Sequence, residues 1–197
     1  MNWEVLLFTI MKKYSIQAVL EGKVKRKMEE NKKTIDVTAL GELLVDFTMN
    51  GQSEQGNLIF EACPGGAPCN VLAFLQKMEK KTAFIGKVGN DQFGKMLKET
   101  IEEAGINASN LIFDNQVNTT LAFVHTFENG DRDFSFYRNP GADMMLTAAE
   151  VNEETIKQSK IFHFGTLSMT AEGVREATKK AVKTAKENGC IISFDPN

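Results

Sequence analysis

From residue 35 onward, short apolar segments alternate with stretches of helical periodicity. Four apolar runs predict buried strands: residues 35–40, 82–86, 160–164 and 190–194. Three stretches repeat apolar side chains every three or four positions, which predicts helices with one buried face: residues 71–78, 93–104 and 170–188. Because strands alternate with helices, we expect an α/β fold, doubly wound around a mostly parallel sheet.

A second pattern, with a period of two, predicts a smaller group of strands. Residues 43–47 and 57–62 read as extended segments that pair with each other, and alternation resumes at Thr119 with Phe123 on one face. The turn Asn129-Gly130 then predicts a hairpin whose return strand carries several aromatic residues. We expect this hairpin to project as a flap at the sheet edge, with a second copy of the protein as a candidate cover for its apolar face.

Two adjacent glycines mark the stretch at residues 64–70, which reads Pro-Gly-Gly-Ala-Pro-Cys-Asn. A glycine pair permits positive φ and lets a ligand approach bare backbone, where a Cβ would block it. Asn70 lies near the start of the following helix, so its amide would point into the same space. These residues alone fit either a ligand-binding loop or a plain helix-entry turn at Gly65 and Gly66.

Three polar residues stand among apolar or glycine-rich neighbours on separate elements: Asp46, Asn70 and Arg138. A carboxylate among apolar residues is costly to bury unless something pairs with it. Asp46 is therefore either a solvent-facing edge residue or a ligand-binding acid. Asn197 follows the last predicted strand, and ligands gather beyond the carboxyl ends of parallel strands, so we expect it to point at a site.

Length and charge narrow the class of protein. A chain of 197 residues suits one domain with a sizeable core. Up to Lys33 it has eight Lys or Arg and four Asp or Glu, whereas from Thr34 onward it has fifteen and twenty-two. The acidic body argues against nucleic acid as a partner. We expect residues 1–33 to be an extension outside the fold, and their apolar run at residues 5–11 is too short to span a membrane.

The cysteines and histidines predict no metal site. Cys63, Cys69 and Cys190 are an odd number without zinc-like spacing, which favours a reducing cytoplasm. His125 and His163 have no cysteine or second histidine at ligand spacing, so we interpret both as structural residues.

The glycine-rich segment at residues 86–94 invites comparison with a dinucleotide-binding turn. Its glycine spacing differs from G-x-G-x-x-G, and no acidic residue closes a βαβ unit about twenty residues further on. We therefore interpret the segment as a connection between a strand and a helix. A nicotinamide-dependent oxidoreductase is the least favoured function.

A set of short motifs, in order along residues 35–197, resembles the ribokinase-like (PfkB) carbohydrate kinases, and among them the fructokinases. The motifs that carry this resemblance are Gly41-Glu42 with Asp46, residues 64–70, residues 83–94, residues 119–123, residues 136–138 with 141–143, residues 163–165 and residues 195–197. Cys69 departs from the family, in which a small residue such as alanine is usual.

The resemblance implies a ribokinase-like fold with a small β lid, formed by segments around residues 43–62 and 119–138. It also implies that Asp46 accepts hydrogen bonds from two sugar hydroxyls, that Gly65 and Gly66 lie against the sugar, and that Asn70 binds a hydroxyl. In the same resemblance Phe123 belongs to the lid face over the sugar ring, Arg138 reaches the substrate edge, and Asn197 lies near the nucleotide phosphates.

The sequence departs from the family pattern after Asn197. The family's Gly-Ala-Gly-Asp segment, which supplies the catalytic base and an anion hole, does not occur in these residues. The resemblance implies ATP and Mg²⁺ as cofactors, yet most of their binding elements are missing, so no catalytic residue is assigned. We expect the N-terminal part of a kinase that phosphorylates a primary hydroxyl of a ketohexose, with little activity alone. The alternative is a non-catalytic sugar-binding or dimerisation module.

Overall fold

The computed structural model of the chain describes residues 33–126 and 131–196. The predictions for residues 1–32, for the Asn129-Gly130 turn and for Asn197 lie outside the described residues. In the part that is described, no helix is long and apolar enough to cross a membrane.

The described strands and helices follow one another along the chain with few long connections. The strands are β1 (Ile35–Leu40), β2 (Leu44–Gln52), β3 (Leu58–Gly65), β4 (Thr82–Gly89), β5 (Asn107–Asp114), β6 (Leu121–Thr126), β7 (Arg132–Tyr137), β8 (Ser159–Gly165) and β9 (Ile191–Asp195). The α-helices are α1 (Ala67–Lys77), α2 (Gln92–Glu103), α3 (Glu153–Lys157) and α4 (Glu172–Glu187). Short 3-10 helices occupy Ala142–Met145, Ala148–Glu150 and Thr166–Met169.

Five strands form a parallel sheet in the order β5-β4-β1-β8-β9. Helices cover both faces, because each presents an apolar stripe to the sheet. On one face, Leu72 of α1 and Leu97 of α2 join a buried cluster with strand residues. On the other face, Ile156 of α3 and Val174 of α4 do the same. The doubly wound α/β fold predicted from the sequence is confirmed.

A second sheet has the order β3-β2-β6-β7, with β2 and β6 parallel and both outer pairs antiparallel. The chain enters it directly after β1, through the three residues 41–43. Strand β2 continues to Gln52, beyond the segment 43–47 that the sequence predicted to be extended. The pairing of residue 49 with Phe60 explains the difference, because cross-strand contacts override local propensity.

Asp91 links the parallel sheet to the second sheet. Its carboxylate caps α2 by accepting from the Gly94 N–H at 2.8 Å, and it also accepts from the N–H and hydroxyl of Thr119, each at 2.8 Å. A Cβ on Gly94 would collide with the Gly89 carbonyl oxygen. The glycines in this segment thus serve a tight strand-to-helix connection, as the sequence predicted.

Candidate functional site

A cleft of about 570 Å³ lies between the second sheet and the carboxyl ends of β1 and β8. This is the edge at which parallel α/β sheets bind ligands. Residues that line the cleft are Glu42, Leu44, Asp46, Gly66, Ala67, Asn70, Phe134, Phe136, Thr166, Leu167 and Thr170. The structure therefore brings together three of the predicted site residues, Asp46, Gly66 and Asn70.

Asp46 points into the cleft because side chains alternate along β2. Leu44 and Asp46 line the cleft, whereas Val45 is fully buried on the opposite face, beside the parallel sheet. Burial raises the pKa of the Asp46 carboxyl, and no hydrogen bond from a described residue opposes that effect. The carboxylate is thus a hydrogen-bond acceptor that the described part of the chain leaves for a ligand.

The two glycines beside Asp46 serve different purposes. A Cβ on Gly65 would collide with the carboxylate of Asp46, so this glycine makes room for the acid. Gly66 has φ +118°, and a Cβ there would lie 2.5 Å from the backbone oxygen of Glu42. Of the pair, only Gly66 lines the cleft. Both positions exclude a larger side chain for steric reasons that are independent of any ligand.

Asn70 lies in the first turn of α1, whose first two residues are Ala67 and Pro68. Proline suits this position because its missing N–H would have no partner inside the helix. The backbone N–H of Asn70 donates to the Gly66 oxygen at 3.0 Å, which holds the residue on the helix. Its exposed side chain faces the cleft and can donate or accept a hydrogen bond.

Phe123, which we expect on the lid face over the sugar, does not line the cleft in this structure. It pairs with Phe47 across β2 and β6, and the two rings stack at 5.0 Å on the sheet face opposite Asp46. Phe134 and Phe136 of β7 line the cleft instead, with their ring centroids 5.9 Å apart. Strand alternation explains this placement. Phe136 pairs with Ala122, and Ala122 pairs with Asp46, so the side chains of these residues lie on the same face of the sheet.

Arg138, which we expect at the substrate edge, lies outside the cleft lining and contacts residues that form its wall. Its Nε and Nη2 lie 2.8 Å and 2.6 Å from Oδ2 of the buried Asp143. Its other donors reach the hydroxyl of Thr170 at 3.1 Å and the Leu167 oxygen at 3.0 Å. Since Leu167 and Thr170 line the cleft, Arg138 holds one wall in place and does not contact the interior.

Glu42 is a cleft residue to which the sequence reading gave no role. It is 2% exposed, and its Oε1 accepts a hydrogen bond from the N–H of Ala67 at 2.9 Å. Desolvation is the main cause that raises the pKa of its carboxyl, and the nearby charge of Asp143 adds to the effect. The only signal in the sequence is its place in the motif Gly41-Glu42, four residues before Asp46.

The described residues contain no cluster of potential metal ligands. No group of three or more His, Cys, Asp or Glu side chains in residues 33–126 and 131–196 is placed to hold an ion. Asn197, predicted to lie near nucleotide phosphates, is outside the described residues.

A doubly wound parallel sheet, with a second sheet over a cleft at the carboxyl ends of its strands, defines an α/β protein of the kind that binds small molecules at that edge. Comparison with known proteins gives the family. Residues 34–197 match the family described as pfkB family carbohydrate kinase, and the chain belongs to that family.

The chain is similar to several curated fructokinases. Fructokinase-2 from Oryza sativa subsp. japonica is 44% identical over 165 residues, which cover 82% of this chain and 48% of that protein. Fructokinase-1 from Zea mays is 44% identical over 163 residues, which cover 82% and 50%. The chain therefore spans about half the length of the curated relatives that it matches.

Solved structures support the same fold. Fructokinase from Xylella fastidiosa, determined with bound ATP, matches with a TM-score of 0.77 and 34% identity over 84% of this chain and 52% of that one. A ribokinase II structure from E. coli, in complex with ATP and Mg²⁺, matches with a TM-score of 0.75 and 32% identity over 83% and 53%. The family and the ribokinase-like fold predicted from the sequence are both confirmed.

Proposed function

We propose that this chain provides the sugar-binding part of an ATP-dependent kinase that phosphorylates a primary hydroxyl of a ketohexose, with fructose as the substrate. One observation carries the proposal: Asp46, Gly66 and Asn70 line one cleft at the carboxyl ends of the parallel strands. The similarity to fructokinases supports fructose over other sugars.

In this proposal Asp46 accepts hydrogen bonds from two sugar hydroxyls, since a carboxylate acceptor suits a polyol. Gly66 leaves the backbone open for the sugar, and Gly65 keeps room for the Asp46 side chain. Asn70 binds a further hydroxyl from the first turn of α1. Phe134 and Phe136 provide the apolar face of the lid and exclude water from the ring.

Phosphoryl transfer depends on positioning and on stabilisation of charge at the moving group. The Gly-Ala-Gly-Asp segment that the family uses for this purpose does not occur in the 197 residues. We therefore expect these residues alone to bind sugar and to release little ADP. In this proposal ATP and Mg²⁺ are the cofactors, as in the family, and Asn197 lies near the nucleotide phosphates.

Two measurements test the proposal. Isothermal titration calorimetry with D-fructose should detect binding, and Asp46→Asn should weaken it. A coupled ADP-release assay with fructose, ATP and Mg²⁺ should show turnover close to background. Absence of fructose binding would contradict the proposed sugar site. Ordinary turnover would contradict the expectation that these 197 residues alone release little ADP.

A second candidate function is a sugar-binding or dimerisation module, with residues 1–33 as an extension outside the domain. The sheet face opposite the cleft favours it, since Phe47, Phe60, Phe123 and Tyr137 form one aromatic group there and Tyr137 is 67% exposed. A second copy of the chain would cover this face. Light scattering should then show a dimer that Tyr137→Glu converts to a monomer. We also propose a reducing cytoplasm as its location, which suits three cysteines that form no disulfide with one another.

A further inference from the structure

Glu42 occupies a distinctive place at the floor of the cleft. It lies in the three-residue connection between β1 and β2, where the chain leaves the parallel sheet for the second sheet. The side chain is almost fully buried, yet the residue lines the same cleft as Asp46 and Asn70. A charged residue type at such a position needs a partner for each of its oxygens.

One carboxyl oxygen of Glu42 is fixed by α1. Gly66, the residue that precedes the helix, has no side chain to cap it, and Oε1 of Glu42 accepts the Ala67 N–H in its place. A negative or polar oxygen is favoured at a helix N-terminus. This bond sets the orientation of the carboxyl group, so the second oxygen has a defined position.

The second oxygen, Oε2, is buried and has no hydrogen-bond partner among the described residues. Buried polar atoms in native proteins are nearly always paired with protein, water or ligand. In a cleft that binds a polyol, a hydroxyl group of the ligand can supply the missing partner, because a hydroxyl both donates and accepts.

We propose that Oε2 of Glu42 forms a hydrogen bond with one hydroxyl group of the bound sugar, which makes Glu42 a second substrate-binding acid beside Asp46. The inference rests on the proposed function of the cleft, and it adds a specificity-determining contact. A site that hydrogen-bonds a substrate hydroxyl rejects analogues that lack it, because its own buried polar group is then left unpaired.

The protonation of the Glu42 carboxyl decides which partner donates in this bond. Burial is the main cause that raises the pKa of the Glu42 carboxyl, and the charge of Asp143 adds to it, whereas hydrogen bonding to backbone N–H groups, including that of Ala67, and the charge of Arg138 oppose it. The thiol of Cys69, also close to Glu42, has its own pKa raised by burial and stays neutral. When Glu42 is protonated, the proton sits on Oε2, since Oε1 accepts from Ala67. In that form the carboxyl donates to a sugar oxygen, and in the ionised form Oε2 accepts from a sugar hydroxyl.

The test combines variants of Glu42 with sugars that each lack one hydroxyl. Calorimetry would measure the affinity of the full chain, and of Glu42→Gln and Glu42→Ala, for D-fructose and its 1-, 3-, 4- and 6-deoxy analogues. Glu42→Gln keeps an oxygen for the Ala67 N–H and an amide donor in place of the Oε2 proton. We expect Glu42→Ala to weaken fructose binding about tenfold, and Glu42→Gln to retain most of the affinity.

The decisive result is the coupling between variant and sugar. In the wild-type chain one deoxy analogue should bind about tenfold more weakly than fructose, and in Glu42→Ala that difference should disappear. Asn152→Ala is the matched control, because Asn152 caps α3 away from the cleft. It should lose a helix cap without changing any sugar affinity.

The outcomes separate the inference from the proposed function. If the wild-type chain binds fructose but every deoxy penalty persists in Glu42→Ala, Glu42 only caps α1 and the inference is wrong. If the wild-type chain binds none of these sugars, the proposed function fails and the inference fails with it. Circular dichroism on each variant establishes that lost affinity does not reflect an unfolded chain.

Discussion

Arg138 and Asp143 form the most buried ion pair among the described residues, with Nη2 2.6 Å from Oδ2 and side chains 10% and 3% exposed. The pair connects three parts of the fold. Asp143 accepts a hydrogen bond from Thr120 at the start of β6, and Arg138 donates to Leu167 and Thr170 after β8. The position of this cleft wall therefore depends on Arg138 and Asp143, neither of which lines the cleft.

Arg138→Ala should destabilise the chain by about 3–5 kcal/mol, because it leaves the buried carboxylate of Asp143 without its partner. Urea unfolding followed by circular dichroism measures the change. Lys98→Ala is the control, since its pair with Glu102 is exposed on α2 and should contribute less than about 1 kcal/mol. Equal losses in the two variants would contradict the structural role of Arg138.

Asp46→Asn should weaken fructose binding by roughly 10- to 100-fold, the range for loss of a charged hydrogen-bond partner. It should not lower stability at neutral pH, because burial raises the pKa of the Asp46 carboxyl and so disfavours its charged form in the fold. Calorimetry measures the affinity for fructose, and thermal unfolding measures the stability. Asp36→Asn, at the opposite end of the parallel sheet and paired with Lys160, should leave affinity unchanged.

Phe136→Ala and Phe123→Ala should separate the two faces of the second sheet. Phe136 is 50% exposed in the cleft, so its loss should weaken sugar binding with little change in stability. Phe123 contacts the rings of Phe47, Phe60 and Tyr137, so its loss should cost about 2 kcal/mol of stability and leave affinity nearly unchanged. The reverse pattern would place Phe123 in the site.

Glu42 should make stability depend on pH. Its pKa is raised in the fold above the ordinary value of 4.5, so the wild-type chain loses stability as pH rises from that value through the folded-state pKa. Glu42→Gln cannot ionise and should lack this loss. The stability of Glu42→Gln relative to wild type should therefore increase with pH, as measured by urea unfolding at pH 4, 6 and 8. A constant difference across these pH values would contradict a raised pKa.

Local sequence was sufficient for most elements of the parallel sheet. The apolar runs near residues 35, 82, 160 and 190 each became a strand, because continuous apolar sequence is stable only where both faces of a strand are buried. Strand β5 was not predicted, since only its pairing with β4 orders a segment that begins with polar residues. The residues of β2 beyond residue 47 extend that strand for the same reason, since they pair with β3.

Only part of the candidate site could be predicted from the sequence. Motif resemblance located Asp46, Gly66 and Asn70, whose positions depend on short-range geometry at the start of α1 and along β2. The sequence did not show which aromatic face of the second sheet lines the cleft, because that depends on the pairing register of β2, β6 and β7.

The sequence by itself determined the family, most strands and helices of the parallel sheet, and the candidate residues Asp46, Gly66 and Asn70 of the cleft. The tertiary structure decided what those residues contact. It placed Phe123 away from the cleft, paired Arg138 with Asp143, and brought Glu42 to the N-terminus of α1 across 25 positions of sequence. The physical reason is that periodicity records which side chains are buried, whereas hydrogen-bond partners distant in sequence are fixed only when the two sheets pack.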